Sequence, residues 1–335
     1  MSDYRVLGPD ALGQLQDRER DFADDVLVGL SGSPKRLSSR YFYDDEGSRL
    51  FAEIMDLDVY YPTDCEREVL TTHKNAIAEL LSDRPTNVVD LGAGDGVKTS
   101  IVLQHLLDRN VDVRYVPIDI SEGAMRDLVG KVRGRMPELK IEGLVCEYDD
   151  GLRWLAAEEE QRQSLVMFLG SNIGNFNRGQ ARAFLRRLWG GLQHGDRVLI
   201  GFDLKKDIDV LLRAYNDPAG VTAKFNLNLL TRINRELGGN FDTEKFRHFG
   251  TYDVFSGAME SYLVSLERQT VYIEAIRLAF QFDPWEPVHT EYSYKYLRSD
   301  VHTLAKDCGY TIDAEYLDDK RWFVDSVWRV EKGRR

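Results

Sequence analysis

The sequence predicts an α/β fold: an open, mostly parallel sheet with helices on both faces, carrying a second and smaller α+β region. Three observations predict it. Val88-Val89-Asp90-Leu91 is an apolar run that enters a turn holding Gly92, Gly94 and Gly96, and a helical pattern follows from Thr99 to Leu107. That is strand, tight turn, helix, and glycines let a backbone turn sharply and approach a ligand closely. Val113 to Asp119 is a second apolar run, ending in an acid 29 positions after Asp90. In a doubly wound sheet such an acid reaches the hydroxyl pair of a ribose, and it repels a 2'-phosphate. From there to Asp203, apolar runs and helical patterns alternate, the rhythm of a parallel sheet covered on both sides.

Taken in order, residues 10–30 read as a helix, with Leu12, Leu15, Phe22, Val26, Leu27 and Leu30 at helical spacing. Ser31 to Lys35 breaks it. An aromatic and acidic turn around Tyr41 to Glu46 opens a short helix. Thr63, with Glu66 three positions on, reads as a capping box opening a helix over about 64–82. Beyond the second strand, a helix is expected near 121–135 and a third strand from Leu139 to Cys146, closed by Glu147 and Tyr148. Ser164 to Gly170 is the fourth strand, 179–192 a helix, and Arg197 to Asp203 the fifth strand. At Lys205 the rhythm changes to two helices (208–215 and 219–237) and three strands (246–252, 259–266 and 270–276), the last two separated by a turn at Glu267-Arg268. Helix, strand, strand over 300–308, 310–316 and 322–330 then close the first sheet. The chain therefore divides into a nucleoside-binding domain of residues 63–204 plus 288–335 and a substrate-binding domain of residues 10–62 plus 205–287.

Bulk properties narrow the function. Apolar residues make up 43% and charged residues 30% of the 335, ordinary for a soluble globular chain. No apolar run approaches the ~20 residues of a membrane span, and the N-terminus has no basic region before an apolar stretch. No membrane association is expected, and the scattered Cys65, Cys146 and Cys308 suit a reducing cytoplasm. No Cys/His cluster suggests a metal. The net charge of −12 argues against nucleic acid as a partner; the basic groups Arg182-Arg186-Arg187 and Lys332-Arg334-Arg335 are short, solvated faces. A small-molecule substrate and a monomer are expected.

The glycine spacing is neither of the common nucleotide loops. A Walker loop needs Lys-Ser/Thr after its last glycine, and a dinucleotide loop is spaced GxGxxG where this one is GxGxG. Asp90-x-Gly92-x-Gly94 resembles motif I of the S-adenosylmethionine (SAM) methyltransferases. Further motifs extend the resemblance: Tyr43-Asp44-x-x-Gly47-Ser48, Tyr60-Tyr61-Pro62-Thr63, Gly170-Ser171-Asn172-Ile173-Gly174-Asn175, Tyr215-Asn216-Asp217-x-x-Gly220-Val221-Thr222, Phe225-Asn226-Leu227-Asn228 and His289-Thr290-Glu291-x-Ser293-x-Lys295-Tyr296. With these the chain resembles, over roughly residues 40–297, the histidine Nα-methyltransferase family of ergothioneine biosynthesis.

That resemblance implies a Rossmann-like, seven-stranded SAM methyltransferase fold with a smaller α+β substrate domain. The implied activity is SAM-dependent methylation of the α-amino nitrogen of L-histidine to the trimethylated product, hercynine. It places the SAM contacts on Gly92, Gly94, Lys98, Asp119, Glu147 and Tyr148. It places the grip on the substrate's amine and carboxylate on Asn175 and Tyr215, lines the amino-acid pocket with Tyr43 and Tyr60, and assigns imidazole recognition to Glu291 and Ser293. Tyr43 and Asn175 orient the reacting amine, and no general base is assigned. One departure stands out: Ser261 falls where the family often has an apolar residue, with Met259 two residues away on the same face of a strand. An acceptor such as tryptophan or a prenylated tryptophan is the alternative this motivates.

Overall fold

Thr86–Leu91 is buried at all six positions and lies in the middle of a nine-stranded sheet. The protein is known here from a computed structural model that describes residues 4–6, 11–81, 84–157 and 162–333, with the side chains of 11–18 outside that description. Of the expectations above, residue 10, the side chains of Leu12 and Leu15, and Arg334 and Arg335 lie outside the described residues.

The order across the sheet is Tyr4–Val6, Gly143–Val145, Val113–Asp119, Thr86–Leu91, Gln163–Phe168, Arg197–Asp203, Phe323–Val330 and Tyr310–Leu317, with Lys140–Ile141 also pairing with Val113–Asp119. Phe323–Val330 is antiparallel to both of its neighbours, and the other pairings of this sheet are parallel. This is the Rossmann-like arrangement, with its strand order reversing beside Thr86–Leu91. Successive side chains of a strand point to opposite faces. Val89 accordingly joins a core with Val116, Ile118, Val166 and Ile200, while Val88 joins a second core with Tyr115, Leu165, Met167 and Leu199. Burial on both faces explains why these strands read as unbroken apolar runs.

Several expectations are corrected. The third strand is two pieces, Lys140–Ile141 and Gly143–Val145, interrupted at Glu142, whose carboxylate pairs with Arg5 and Arg114. Tyr4–Val6 adds a parallel edge strand too short to show alternation in sequence. The helix expected from 64 begins at Tyr61. Pro62 is tolerated in its first turn, where no backbone N–H is needed. Thr63 is therefore inside the helix, and Glu66 is not a capping residue: it is fully buried and bonded elsewhere.

The chain separates into two compact units. One holds Tyr4–Val6, Pro62–Lys205 and the chain from Tyr294 onward; the other holds, among the described residues, Ala11–Tyr61 and Lys206–Ser293. The last crossing falls six residues later than residue 288, because Pro287–Tyr294 is a strand of the second unit's sheet. That sheet runs Lys35–Arg36, Pro287–Tyr294, Ala258–Ser265, Phe246–Asp253. The expected strand 270–276 ends at Ile273 and pairs with Leu278–Phe282 in a separate hairpin, so it does not join its sequence neighbour Ala258–Ser265. The core of this unit joins Phe22, Val26 and Leu30 of helix Ala11–Ser31 to Phe225, Leu229 and Ile233 of helix Val221–Leu237, and to Leu263 and Val288 of the sheet. Asp44 caps helix Asp45–Met55 by accepting from the Gly47 N–H at 2.7 Å, and it accepts from Asn228 at 2.8 Å.

Candidate functional site

In open α/β sheets, ligands bind outside the carboxyl ends of the strands, where the strand order reverses. In the first unit that position is flanked by the turns after Thr86–Leu91 and Gln163–Phe168. Gly92 and Gly94 sit at φ +73° and +53°. The ideal Cβ position of Gly94 has no atom within 4 Å, whereas that of Gly92 lies 2.7 Å from the Tyr148 hydroxyl. The turn thus leaves open room above Gly94 and is closed by a tyrosine beside Gly92. The Gly94 N–H donates to Asp119 Oδ2 at 3.2 Å and the Ser121 N–H donates to Oδ1 at 3.0 Å. Each Asp119 oxygen keeps a lone pair for a further donor. Burial raises the Asp119 pKa, against the N–H groups of Ser121, Gly94 and Ile120, which lower it.

Glu147 follows the next strand. The Cys146 N–H bonds to the Asp119 carbonyl at 3.0 Å, which brings Glu147 beside the end of the Asp119 strand. Glu147 is exposed, and Tyr148, half-buried, starts helix Tyr148–Ala157 with its ring edge-on to Phe168. Lys98 lies in the first turn of helix Val97–Asp108 and pairs with Glu66 at 2.5 Å. All six residues expected to meet a nucleoside cofactor therefore lie on the carboxyl edge of this sheet. The residues fit SAM: an acid with room for further donors on both oxygens, open backbone at Gly94 and an aromatic ring. Among the described residues no group of three or more His, Cys, Asp and Glu could hold a metal ion.

Asn175 ends a short 3-10 helix, Asn172–Asn175, that follows Gln163–Phe168 in the same unit, and it is half-buried. This turn is braced from below. The Ser171 hydroxyl accepts from the Asp203 N–H at 3.0 Å, and the Asp203 carboxylate holds Lys295 at 2.8 Å with both side chains buried.

The second unit gathers the other expected residues. Tyr43, half-buried, packs edge-on against Phe51 and Phe225 at 5.5 and 5.7 Å between centroids. Tyr60 lies 6.3 Å from Phe51 and 6.4 Å from Tyr215. The Tyr215 hydroxyl donates to Ser293 Oγ at 2.7 Å, a buried bond between residues 78 apart in sequence. Glu291 was not expected on a strand, yet Pro287–Tyr294 carries it. Along that strand Val288 and Thr290 are buried, then Tyr292 is exposed and Ser293 buried, so the inward face changes between Thr290 and Ser293. Glu291 is half-buried on the far side of this change. Thr290 holds Asn226 at 2.9 Å and the Ser261 carbonyl at 3.0 Å. Ser261 and Met259 are both 1% exposed and share one face of Ala258–Ser265, so a serine and a methionine line the same interior.

Sequence reasoning missed two buried acids of the first unit. Glu66 carried the pattern of a helix cap, which residue types alone could not separate from a buried ion pair. Asp325 sits in an apolar run of the last strand and gave no signal beyond being an acid there.

Comparisons with known proteins show what the chain is similar to. The sequence profile of the family described as "Histidine-specific methyltransferase, SAM-dependent" matches residues 22–330. The chain is 35% identical over 303 residues to a histidine N-alpha-methyltransferase of Mycobacterium tuberculosis, covering 90% of this chain and 91% of that one. It is 30% identical over 288 residues to ergothioneine biosynthesis protein 1 of Schizosaccharomyces pombe, covering 84% of this chain and 37% of that one. It is 26% identical over 333 residues to an L-tryptophan methyltransferase of Psilocybe serbica, covering 92% of both.

Proposed function

Because the chain belongs to the SAM-dependent, histidine-specific methyltransferase family, we propose that it methylates the α-amino nitrogen of L-histidine, forming Nα,Nα,Nα-trimethylhistidine for ergothioneine biosynthesis. The observation that carries the acceptor is the polar pair of the second unit: Tyr215 bonded to Ser293 at 2.7 Å, with Glu291 two residues before it. A carboxylate accepts from an imidazole N–H, and a serine hydroxyl serves either ring nitrogen. Tyr43 and Tyr60 line the aromatic side of the same unit. Asn175 presents an amide, which can accept from an amine and donate to a carboxylate.

SAM supplies an electrophilic methyl group on a sulfonium, and the protein supplies position. The acceptor amine must be neutral. A free α-amino group has a pKa of about 8, and a neighbouring positive charge lowers it. The residues that hold the amine therefore need only orient its lone pair, and no side chain is assigned as a base.

The cofactor contacts are tested by Asp119→Ala. Losing hydrogen bonds from a ribose hydroxyl pair to a charged acceptor should weaken SAM binding by about 1.5–3 kcal/mol. Titration calorimetry reads this directly, and an unchanged affinity would move the ribose away from Asp119. The acceptor is tested by mass spectrometry of products with histidine and with its Nα-mono- and dimethyl forms. All three should reach the trimethylated product, since each precursor keeps a nitrogen lone pair, the carboxylate and the ring. Methylation of a ring nitrogen, or faster turnover of tryptophan than of histidine, would sink this reading and return attention to Ser261.

A further inference from the structure

Behind Lys98 lies a buried acidic pair, Glu66 and Asp325, that is not among the expected cofactor contacts. Glu66 is fully buried, and its carboxylate takes the Lys98 ammonium at 2.5 Å and the Gly170 N–H at 2.9 Å to each oxygen. Lys98 follows the strand Thr86–Leu91 and Gly170 follows Gln163–Phe168, so Glu66 ties together the two sides of the strand-order reversal. The carboxylate also lies against the sheet itself: a Cβ on Gly201 would sit 2.2 Å from Glu66 Oε1.

Asp325 is the cross-strand partner of Gly201, and Tyr316 is the partner of Asp325. The three form a row facing helix Tyr61–Glu79, with Glu66 over Gly201 and His73 stacked on Tyr316 at 4.9 Å between centroids. Asp325 is 0% exposed, and no hydrogen-bond partner reaches either of its oxygens. The charged and titratable groups around it are Glu66, Lys98 and Tyr316, with His73 beyond the tyrosine ring. A bare carboxylate in this place is costly, and an ionised neighbour makes it costlier. One ammonium balances one carboxylate, and Glu66 already holds it. Burial, then the Glu66 charge, push the Asp325 carboxyl well above the usual range, with Lys98 opposing.

We propose that Asp325 is a neutral carboxylic acid whose O–H donates a hydrogen bond to Glu66, and that this acid pair is a positioning device that holds Lys98 in place for the cofactor. Glu66 is then held by three donors from three elements: Lys98, the Gly170 N–H and the Asp325 O–H. The ammonium cannot swing away without breaking an arrangement anchored in the sheet. The inference rests on the reading of Lys98 as a cofactor contact.

Two measurements test it. Infrared spectra of the free protein at pH 8 should contain a protonated-carboxyl C=O band that is absent from Asp325→Asn. Calorimetry should show the SAM Kd raised about tenfold in Asp325→Leu, which has no donor, as for one lost bond to a charged group. Asp325→Asn keeps a donor and should recover the affinity to within about threefold of wild type. Glu66→Gln should raise the Kd about tenfold while kcat at saturating SAM falls less than about threefold, because Glu66 does not touch the reacting atoms. A wild type that binds no SAM would overturn the cofactor reading itself. A wild type that binds SAM but lacks the band, or a Glu66→Gln protein that binds as tightly as wild type, overturns the positioning proposal alone. Should Asp325→Leu fail to fold, the band and Glu66→Gln still decide.

Discussion

Glu291→Ala should lower kcat/KM for histidine by about two orders of magnitude, ~2–3 kcal/mol for one charge-assisted hydrogen bond lost from the bound substrate. The α-amine and α-carboxylate are common to all amino acids, so the groups that hold them cannot choose among side chains. Choice requires polar atoms that only the right ring satisfies. A site built to hydrogen-bond a ring rejects rings that leave its polar groups unpaired. In the proposed function Glu291 is such a group, half-buried on a strand whose inward face changes just before Ser293. Removing it should therefore relax discrimination as well as slow the preferred substrate: the ratio of kcat/KM for histidine over tryptophan should fall. Steady-state kinetics with both amino acids reads the two effects together. A variant that loses activity equally toward both would place Glu291 in support of the pocket and not in recognition of the ring.

Asp90→Asn should flatten the dependence of stability on pH. Asp90 is 2% exposed and accepts from the Thr99 hydroxyl at 2.5 Å and the Tyr115 hydroxyl at 3.0 Å. Burial raises its pKa from the ordinary 3.8 to about 6, against those two hydroxyls and Lys98, which lower it. The folded protein thus binds the proton more tightly than the unfolded chain. The stabilisation this brings is fully present below pH 3.8 and is lost as pH rises through about 6. At 1.36 kcal/mol per pH unit, the whole effect is about 3 kcal/mol. Unfolding free energies of wild type and Asp90→Asn, measured from pH 4 to pH 8, should differ by a pH-dependent amount of that order. The wild type should lose stability relative to the variant across the interval. Parallel curves would mean that the two hydroxyls hold the charge as well as water does.

Much of the first unit could be read from the chain because its signals are local. Thr86–Leu91, Val113–Asp119 and Arg197–Asp203 are short apolar runs closed by turn residues, and burial on both faces is what makes such runs continuous. The turn from Gly92 to Gly96 was legible because its backbone, at positive φ, demands glycine. The second unit was read less completely. Pro287–Tyr294 mixes His289, Thr290, Glu291 and Ser293 with a change of inward face, so it shows neither alternation nor an apolar run. Leu278–Phe282 was missed for want of any cue to its partner, Gln269–Ile273. Sequence proximity misled at Ala258–Ser265 and Gln269–Ile273, which join different sheets because each found a better partner elsewhere.

The sequence by itself determined the fold class, the turn that admits a nucleoside cofactor and, through motifs spread over much of the chain, the family. Those properties follow from residue types at short spacing, where backbone geometry and side-chain periodicity act within a few residues. Only the tertiary structure decided which polar groups meet. Tyr215 finds Ser293 across 78 positions, Glu66 finds Lys98 across 32 and Gly170 across 104, and Asp325 is stranded beside them without a donor. Such pairings depend on how strands and helices stack. A buried acid's charge state depends on every group that stacking brings to it, and no spacing along the chain encodes that.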